Sequence, residues 1–239
     1  MSNVAVIFAG GTGQRMNLRT KPKQFLELYG KPIIIYTLEK FEQSKLIDGI
    51  IVVCLKDWIE YCWKIIKKHE IKKIVSIVPG GDTGLISRRN GVVEASKFFQ
   101  EDSVVLMHDG VRPLIDEKTI SDNIACVRKK GSAITVAMAQ ETVAIQSKDG
   151  TVGEIFDRSR CEIAKAPQCF FLGDLLRVHN QAIEEGIKDC IDTAVLMQKH
   201  GYELHTVVGL QENIKITTPM DFYIFRAILD AKENSQIFG

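Results

Sequence analysis

The N-terminal stretch Val4-Ala5-Val6-Ile7-Phe8-Ala9-Gly10-Gly11-Thr12-Gly13 decides the fold class. The continuous apolar run at its start is typical of a parallel strand that is buried on both faces. The glycines that follow predict a tight loop whose backbone amides can turn towards a ligand. A buried strand that leads directly into such a loop indicates the first unit of an open α/β sheet.

Outward from this strand, apolar strand patterns alternate with helical patterns. Strands are predicted at residues 49–55, 74–78 and 103–107, and helices at 33–44, 58–69 and 87–99. This alternation predicts an α/β fold whose open, mostly parallel sheet is flanked by helices.

The alternation of strand and helix patterns stops after residue 131. Short strands at 133–138, 142–146 and 152–156, with a turn at residues 148–150, predict an inserted β-arm at about 137–160. Beyond the arm we expect helices at 173–185, 193–200 and 219–232 and strands at 203–208 and 213–216. A single domain over residues 1–239 accounts for the whole pattern.

Composition excludes several classes of protein. The chain has 31 Lys plus Arg against 30 Asp plus Glu, which argues against a general nucleic-acid binder. No apolar run approaches the roughly 20 residues of a membrane span, and the start lacks the features of a signal peptide, so we expect a cytoplasmic protein. The six cysteines lack metal-site spacing and are expected to be reduced, buried thiols.

The glycine loop does not match two common phosphate-binding motifs. It ends in Gly13-Gln14-Arg15 rather than in the Gly-Lys-Ser/Thr of a P-loop. A dinucleotide-binding fingerprint would have a glycine at position 16, where this chain has Met16. It would also have an acidic residue at the end of the second strand, and the nearest acid, Asp57, lies beyond that strand end.

Four cations follow this loop before the first acid of the chain. They are Arg15, Arg19, Lys21 and Lys23. Their position after a buried strand favours an anion-binding site over the alternative of a solvated basic loop, because open α/β sheets bind ligands at the carboxyl ends of their strands.

Two more strand ends carry candidate residues. Gly80-Gly81-Asp82, with Ser87 opening the next helix, predicts a second loop at the same edge, although Gly-Gly-Asp is also an ordinary turn. In His108-Asp109-Gly110-Val111-Arg112-Pro113, the Asp could bind a metal or a sugar hydroxyl and the Arg a phosphate, or the two could form a structural ion pair. Arg158 and Lys215 add cations near other strand ends, whereas His69, His179, His200 and His205 receive no role.

Together, these motifs resemble the sugar-alcohol-phosphate cytidylyltransferases. The resemblance rests on residues 9–16, 22–26, 108–113 and 213–217, in order along the chain. It implies a Rossmann-like sheet, a homodimer joined through the β-arm, and transfer of a cytidylyl group from CTP to a polyol phosphate with Mg²⁺ or another divalent cation.

The resemblance also implies roles for individual residues. Arg15 and Lys23 would be the catalytic cations. The nucleotide-binding residues would be Ala9, Gly10, Gly11, Gly13, Gly81, Asp82 and Ser87. The acceptor-binding residues would be Asp109, Arg112, Thr142, Arg158 and Lys215, with Asp109 as a possible metal ligand.

Several positions depart from the family pattern. The loop 83–86 lacks the arginine that usually precedes Ser87, so that contact is either missing or supplied from elsewhere. Ala166 and Ile191 replace threonines of the methylerythritol enzymes. These two replacements concern the polyol end of the site. Together with Ala-Gly-Gly-Thr-Gly at residues 9–13, Lys-Gln-Phe at 23–25 and Gly-Val-Arg-Pro at 110–113, they favour D-ribitol 5-phosphate as the acceptor. 2-C-methyl-D-erythritol 4-phosphate and a noncatalytic CTP-binding relative are the alternatives.

Overall fold

The computed structural model describes residues 1–11 and 21–238, with side chains up to residue 234. The described strands of the main sheet are β1 (Asn3–Ala9), β4 (Gly49–Cys54), β5 (Ile74–Pro79), β6 (Val104–Asp109), β7 (Ser132–Met138), β10 (Glu162–Phe171) and β11 (Thr206–Val208). The short pair β2 (Glu27–Leu28) and β3 (Lys31–Pro32) and the pair β8 (Val143–Gln146) and β9 (Val152–Phe156) lie outside this sheet.

The main sheet has the strand order β11-β7-β10-β6-β1-β4-β5. β6, β1, β4 and β5 run parallel to one another, and β11 runs parallel to β7. β10 alone among the described strands of this sheet is antiparallel to both of its neighbours. The α/β class and the mostly parallel sheet are therefore confirmed.

Helices cover both faces of the sheet. Their bounds are α1 (Ile33–Gln43), α2 (Ile59–Lys68), α3 (Gly84–Ala95), α4 (Glu117–Lys130), α5 (Leu172–Glu184), α6 (Thr193–Lys199) and α7 (Pro219–Phe238). α1, α2 and α4 pack on one face, and α3, α5 and α6 pack on the other. Successive residues of β1 point to opposite layers, with Ala5 and Ile7 in the first and Val4 and Val6 in the second. This explains why the strand is apolar without interruption.

α7 closes one end of the sheet through a smaller apolar cluster. Phe225 packs there with Ile33, Val111, Leu114 and Ile216, and all five side chains are buried. This packing holds the loop before α7 against the segment that follows β6.

Several element predictions are wrong. The sequence pattern missed α4, although Asp116 caps its N-terminus and Gly131 ends it with a φ of 86°. It also missed β10, because Pro167 interrupts that strand at the register shift between Ala164 and Gln168. Residues 213–216 form a loop rather than a strand.

The bounds of two helices also differ from the prediction. α3 begins at Gly84 rather than at Ser87, because the Thr83 hydroxyl accepts a hydrogen bond from Ile86 N and caps the helix three residues earlier. α7 extends to Phe238, beyond the predicted end at residue 232.

The predicted β-arm is the hairpin β8–β9, which pairs antiparallel. Its apolar side chains Ile145, Val152 and Ile155 are more than half exposed. All six cysteines are free thiols, as expected, but Cys126 and Cys161 are only partly buried. No helix in the described part of the chain is both long enough and apolar enough to span a membrane.

Candidate active site

A cleft of about 730 Å³ opens at the carboxyl edge of the parallel strands. β1, β4 and β6 end at it, and the start of β10 also lines it because β10 runs in the opposite direction. This volume lies within the range of small-molecule sites, and the location is the one expected for an open α/β sheet.

The cleft brings together most of the residues that the sequence singled out. Those that line it are Ala9, Gly10, Gly11, Lys23, Gly81, Asp82, Ser87, Asp109, Arg112 and Lys215. Gly13, Arg15 and Arg19 lie outside the described residues. Thr142 and Arg158 are exposed at the base of the arm and are not among the lining residues.

Lys23 is held at the centre of the cleft by its neighbours in a short 3-10 turn. Gln24 Nε2 donates to the Ala9 carbonyl oxygen at 2.5 Å, and the Phe25 ring stacks on Trp58 with centroids 5.1 Å apart. The Lys23 side chain is buried against the glycine loop, since a Cβ atom at Gly11 would lie 3.7 Å from Lys23 Cε. Two local contacts therefore position a buried cation beside the loop amides.

Lys21 does not belong with the uncompensated cations that the sequence predicted. Its Nζ lies 2.8 Å from Glu27 Oε1, and the ammonium group lies 5.3 Å from the Tyr61 ring centroid. The first acid beyond the basic run thus neutralises one member of it.

The loop after β5 is closed by Ser87. Gly81 N donates to Ser87 Oγ at 3.0 Å, which links the loop to the first turn of α3. The next residue of α3 is Arg88, which lines the cleft and was not among the residues singled out from the sequence. A Cβ atom at Gly84 would lie only 3.1 Å from Arg88 Nη1, so the absence of a side chain at position 84 leaves the space that this guanidinium occupies.

Arg88 is held from the opposite side by the loop before α6. Its Nη2 donates to the Cys190 carbonyl oxygen at 2.5 Å, and Asp189 Oδ1 accepts from Leu85 N at 3.2 Å. Burial lowers the pKa of Arg88. Burial of the guanidinium therefore opposes its charged form at this position.

A network of charges lies at the end of β6. Asp109 Oδ2 is 2.8 Å from Arg112 Nε, and Asp109 Oδ1 is 2.8 Å from Lys215 Nζ. Burial alone would raise the pKa of the Asp109 carboxyl, but Lys215 and Arg112 outweigh it and hold that pKa well below its usual range. Gly110 is required here because a Cβ atom would approach the Phe8 carbonyl oxygen to 3.1 Å.

The loop 210–216 is tied to this network by side-chain hydrogen bonds. Arg112 Nη1 donates to the Asn213 carbonyl oxygen at 2.8 Å, and Asn213 Nδ2 donates to the Ala166 carbonyl oxygen at 2.7 Å. Ile216 N donates to the Val111 carbonyl oxygen at 2.9 Å. These contacts replace the predicted strand and carry Lys215 to Asp109.

His108 lies beneath the network as a neutral side chain. It is 1 % exposed, and burial lowers its pKa to about 4. Nε2 donates to the Arg112 carbonyl oxygen at 3.2 Å. Its role in this structure is to support the turn that presents Arg112.

The donor atoms that the described residues bring to the cleft do not form a protein metal site. Among residues 1–11 and 21–238, no group of three or more His, Cys, Asp or Glu side chains is arranged to hold an ion. Both carboxylate oxygens of Asp109 already accept from cations. Asp109 is therefore an ion-pair partner in this structure, which is the structural alternative left open by the sequence.

A family model described as IspD, 2-C-methyl-D-erythritol 4-phosphate cytidylyltransferase, matches residues 3–231. The chain belongs to this cytidylyltransferase family. It is 52% identical to the ribitol-5-phosphate cytidylyltransferase of Vibrio parahaemolyticus over 99% of this chain and 100% of that protein. The corresponding enzyme of Streptococcus agalactiae serotype V is 48% identical over the full length of both chains. The 2-C-methyl-D-erythritol 4-phosphate cytidylyltransferase of Clostridium acetobutylicum is 38% identical over 98% of this chain and 99% of that protein.

Solved structures of the cytidylyltransferase family have the same fold. The 4-diphosphocytidyl-2C-methyl-D-erythritol synthase of Anaerococcus prevotii superposes with a TM-score of 0.81 at 28% identity, covering 96% of each chain. The Francisella tularensis 2-C-methyl-D-erythritol 4-phosphate cytidylyltransferase superposes with a TM-score of 0.75 at 28% identity, covering 95% of this chain and 99% of that one. The Rossmann-like fold implied by the resemblance is thereby confirmed.

The two positions at which the resemblance implies threonine in the methylerythritol enzymes both line the cleft. Ala166 is buried at the start of β10, and Ile191 is 87 % exposed just before α6. The side chains of Ala166 and Ile191 are apolar and offer no hydrogen bond to a polyol.

Proposed function

We propose that this protein is a cytidylyltransferase that converts CTP and D-ribitol 5-phosphate into CDP-ribitol and pyrophosphate. The observation that carries the proposal is the cleft, where a glycine loop and a buried lysine adjoin the Asp109–Arg112–Lys215 network. The choice of acceptor is supported by the higher identity to ribitol-5-phosphate cytidylyltransferases than to the methylerythritol enzyme of C. acetobutylicum.

The strand order supports separate places for the two substrates. Gly81 and Ser87 follow β5 at one side of the cleft, the glycine loop follows β1 in the middle, and Asp109 ends β6 next to β10. We assign the cytosine base to the β5 side, the triphosphate to the middle, and the polyol phosphate to the β6–β10 side. The acceptor then approaches the α-phosphorus from the side opposite the base.

The chemistry requires positioning and charge neutralisation rather than a covalent enzyme intermediate. An oxygen of the acceptor phosphate forms a bond to the α-phosphorus of CTP, and the bond from that phosphorus to the bridging oxygen of the β-phosphate breaks. Pyrophosphate leaves with that electron pair. We assign Lys23, with Arg15, to stabilising the charge that develops on the phosphoryl oxygens.

Arg88 is our candidate for the contact that loop 83–86 lacks. Its guanidinium fills the space beside Gly84 and lines the same side of the cleft as Gly81 and Ser87. A buried donor there would bind the carbonyl oxygen of the base, and a wrong base would leave polar groups unpaired.

We propose that Mg²⁺ or another divalent cation enters as part of the nucleotide substrate, bound to triphosphate oxygens. This fits the described part of the cleft, which offers cations and backbone amides but no group of three or more acidic, histidine or cysteine side chains arranged to hold an ion.

We further propose a homodimer formed through the β-arm, acting in the cytoplasm to supply CDP-ribitol for a wall or capsule polysaccharide. The exposed apolar side chains of β8 and β9 support the dimer, because an isolated two-stranded sheet is marginally stable and an apolar patch marks an interface. Thr142 and Arg158 at the base of the arm would then serve the partner's cleft.

The deciding experiment measures pyrophosphate release from CTP with D-ribitol 5-phosphate and with 2-C-methyl-D-erythritol 4-phosphate under matched conditions. We expect a higher kcat/KM with ribitol 5-phosphate. A higher kcat/KM with 2-C-methyl-D-erythritol 4-phosphate would make that compound the acceptor instead. CTP binding by calorimetry without pyrophosphate release from either acceptor would indicate a noncatalytic relative.

A further inference from the structure

Lys165 is a cation of the cleft that neither the motifs nor the proposed roles include. It lies at the start of β10, where the antiparallel register carries the strand past the end of β6. Its side chain is half-buried. Nζ donates to the Gln211 carbonyl oxygen at 2.7 Å and approaches the Leu210 carbonyl oxygen at 3.4 Å.

Among the described residues, these partners are uncharged and give the ammonium group of Lys165 no counter-ion. Within the described part of the chain, its polar contacts are to carbonyl oxygens and none is to a carboxylate. Burial and then the nearby Arg112 cation lower its pKa, which is the effect expected for an uncompensated ammonium group close to another cation.

The charge balance at this side of the cleft favours an anion with two negative charges. Lys165, Arg112 and Lys215 supply three positive charges, and Asp109 supplies one negative charge. Asp192 lies on the neighbouring α6 wall, where its carboxylate accepts from Gln168 Nε2 at 3.0 Å and from Val195 N at 2.9 Å, and it forms no ion pair with these three cations. The side chains of Lys165, Arg112, Lys215 and Asp109 thus sum to a charge of about +2, which matches a phosphate monoester dianion, whose second pKa is about 6.

We propose that Lys165 binds the phosphate of the polyol-phosphate acceptor, as a third cation beside Arg112 and Lys215. The inference rests on the proposed function, because that function supplies the acceptor phosphate. The position of β10 separates Lys165 from the triphosphate side of the cleft, since β6 lies between β10 and β1. Lys165 therefore acts on the acceptor rather than on CTP.

The test compares Lys165→Met, which keeps the hydrocarbon chain, with Lys165→Arg, which keeps the charge. We expect Lys165→Met to raise the KM for D-ribitol 5-phosphate about ten- to a hundredfold, the range of one charge-assisted hydrogen bond, with the KM for CTP unchanged. Lys165→Arg should recover most of the loss. Lys72→Met removes an exposed lysine before β5, at the opposite edge of the sheet, and serves as the matched control.

The pH dependence separates charge recognition from a role in holding residues 210–211. Between pH 8 and pH 5.5 the acceptor phosphate gains a proton, so the ratio of the Lys165→Met KM to the parent KM should fall towards low pH. If Lys165 only holds residues 210–211, Lys165→Met should lower the Tm, Lys165→Arg should raise the acceptor KM as much as Lys165→Met does, and the ratio of variant to parent KM should not change with pH. That result, or an unchanged acceptor KM, would overturn the proposal.

Calorimetric titration of D-ribitol 5-phosphate into the resting parent and Lys165→Met proteins tests the same point without turnover. Weaker binding by the variant supports the proposal even if the parent releases no pyrophosphate. An inactive parent would contradict the proposed function, whereas equal binding by the two proteins would contradict the role of Lys165.

Discussion

Lys215 Nζ lies 2.8 Å from Asp109 Oδ1, and this ion pair joins the loop before α7 to the end of β6. The second carboxylate oxygen of Asp109 is paired with Arg112, so one acid orients two of the cations that we assign to the acceptor. Because the carboxylate is shared, the position of each cation depends on the other.

A double-mutant cycle on Asp109 and Lys215 measures this dependence. We expect Asp109→Asn to raise the acceptor KM more than the CTP KM, since Arg112 and Lys215 lose the group that aligns them. The cycle with Lys215→Met should give a coupling of about 1–3 kcal/mol in kcat/KM, because the residues are in direct contact. Additive effects would contradict a shared orienting role.

Removing the charge of Lys23 should lower kcat by orders of magnitude. Lys23→Met retains most of the buried hydrocarbon, so the fold and the melting temperature should be nearly unchanged, while stabilisation of the transition state is lost. Lys40→Met, at an exposed position on α1, is the control. Pyrophosphate release close to the parent rate from Lys23→Met would exclude this residue from catalysis.

Moving an arginine from position 88 to position 84 tests how the base is recognised. Arg88→Ala should raise the KM for CTP about tenfold or more and reduce the preference for CTP over UTP, because a buried donor is lost. The double variant Gly84→Arg/Arg88→Ala places the guanidinium one helical turn earlier, in the same space, and should regain part of the preference. An unchanged CTP-to-UTP ratio in Arg88→Ala would mean that Arg88 only holds the Cys190 loop.

Complementation between two inactive variants tests whether the arm serves the partner subunit. Arg158→Ala and Lys23→Met should each be inactive as homodimers. If Arg158 reaches the other subunit, a heterodimer carries one intact site, so an equal mixture should regain activity at about one site in four. No recovery after subunit exchange, confirmed by a mass-tagged variant, would place Arg158 in its own subunit's site.

The dimer itself is tested on the exposed face of the arm. Ile155→Lys puts a charge into the apolar patch and should shift the protein to the monomer in analytical ultracentrifugation. Lys148→Ser, in the turn between β8 and β9, is the matched control and should remain dimeric.

The buried His179 should lower the free energy of unfolding of the protein in acid. Burial, followed by the neighbouring Arg88 and Arg89, lowers its folded-state pKa to about 3, below the value of about 6.5 expected in the unfolded chain. The unfolded state therefore binds the proton first, and the stability that is present above pH 6.5 is lost as the pH falls towards 3. In urea unfolding at pH 7.5 and pH 4.5, His179→Leu should reduce the difference between the two pH values by on the order of 2 kcal/mol. Equal differences in parent and variant would contradict the buried, neutral state of His179.

The sequence alone determined the parallel core and the residues at its carboxyl edge. Continuous apolar runs identify strands buried on both faces, and glycines or charged residues directly after such strands must lie at one edge. This local pattern predicts that Gly11, Gly81 and Asp109 lie together, and all three line the cleft. The β-arm could also be predicted from the sequence, because its strands are short and are separated by a turn at Gly150.

Only the tertiary structure decided what surrounds those residues. β10, which carries Lys165, could not be predicted from the sequence because Pro167 interrupts its apolar pattern. The strand forms through its pairing with β6 and β7. Loop 210–216 reaches Asp109 through hydrogen bonds of Asn213 and Arg112 that no local periodicity encodes. Arg88 occupies the cleft wall because Gly84 leaves room for it. Strands and turns follow from neighbours along the chain, whereas the charge balance of the site depends on side chains that are brought together only when distant segments pack.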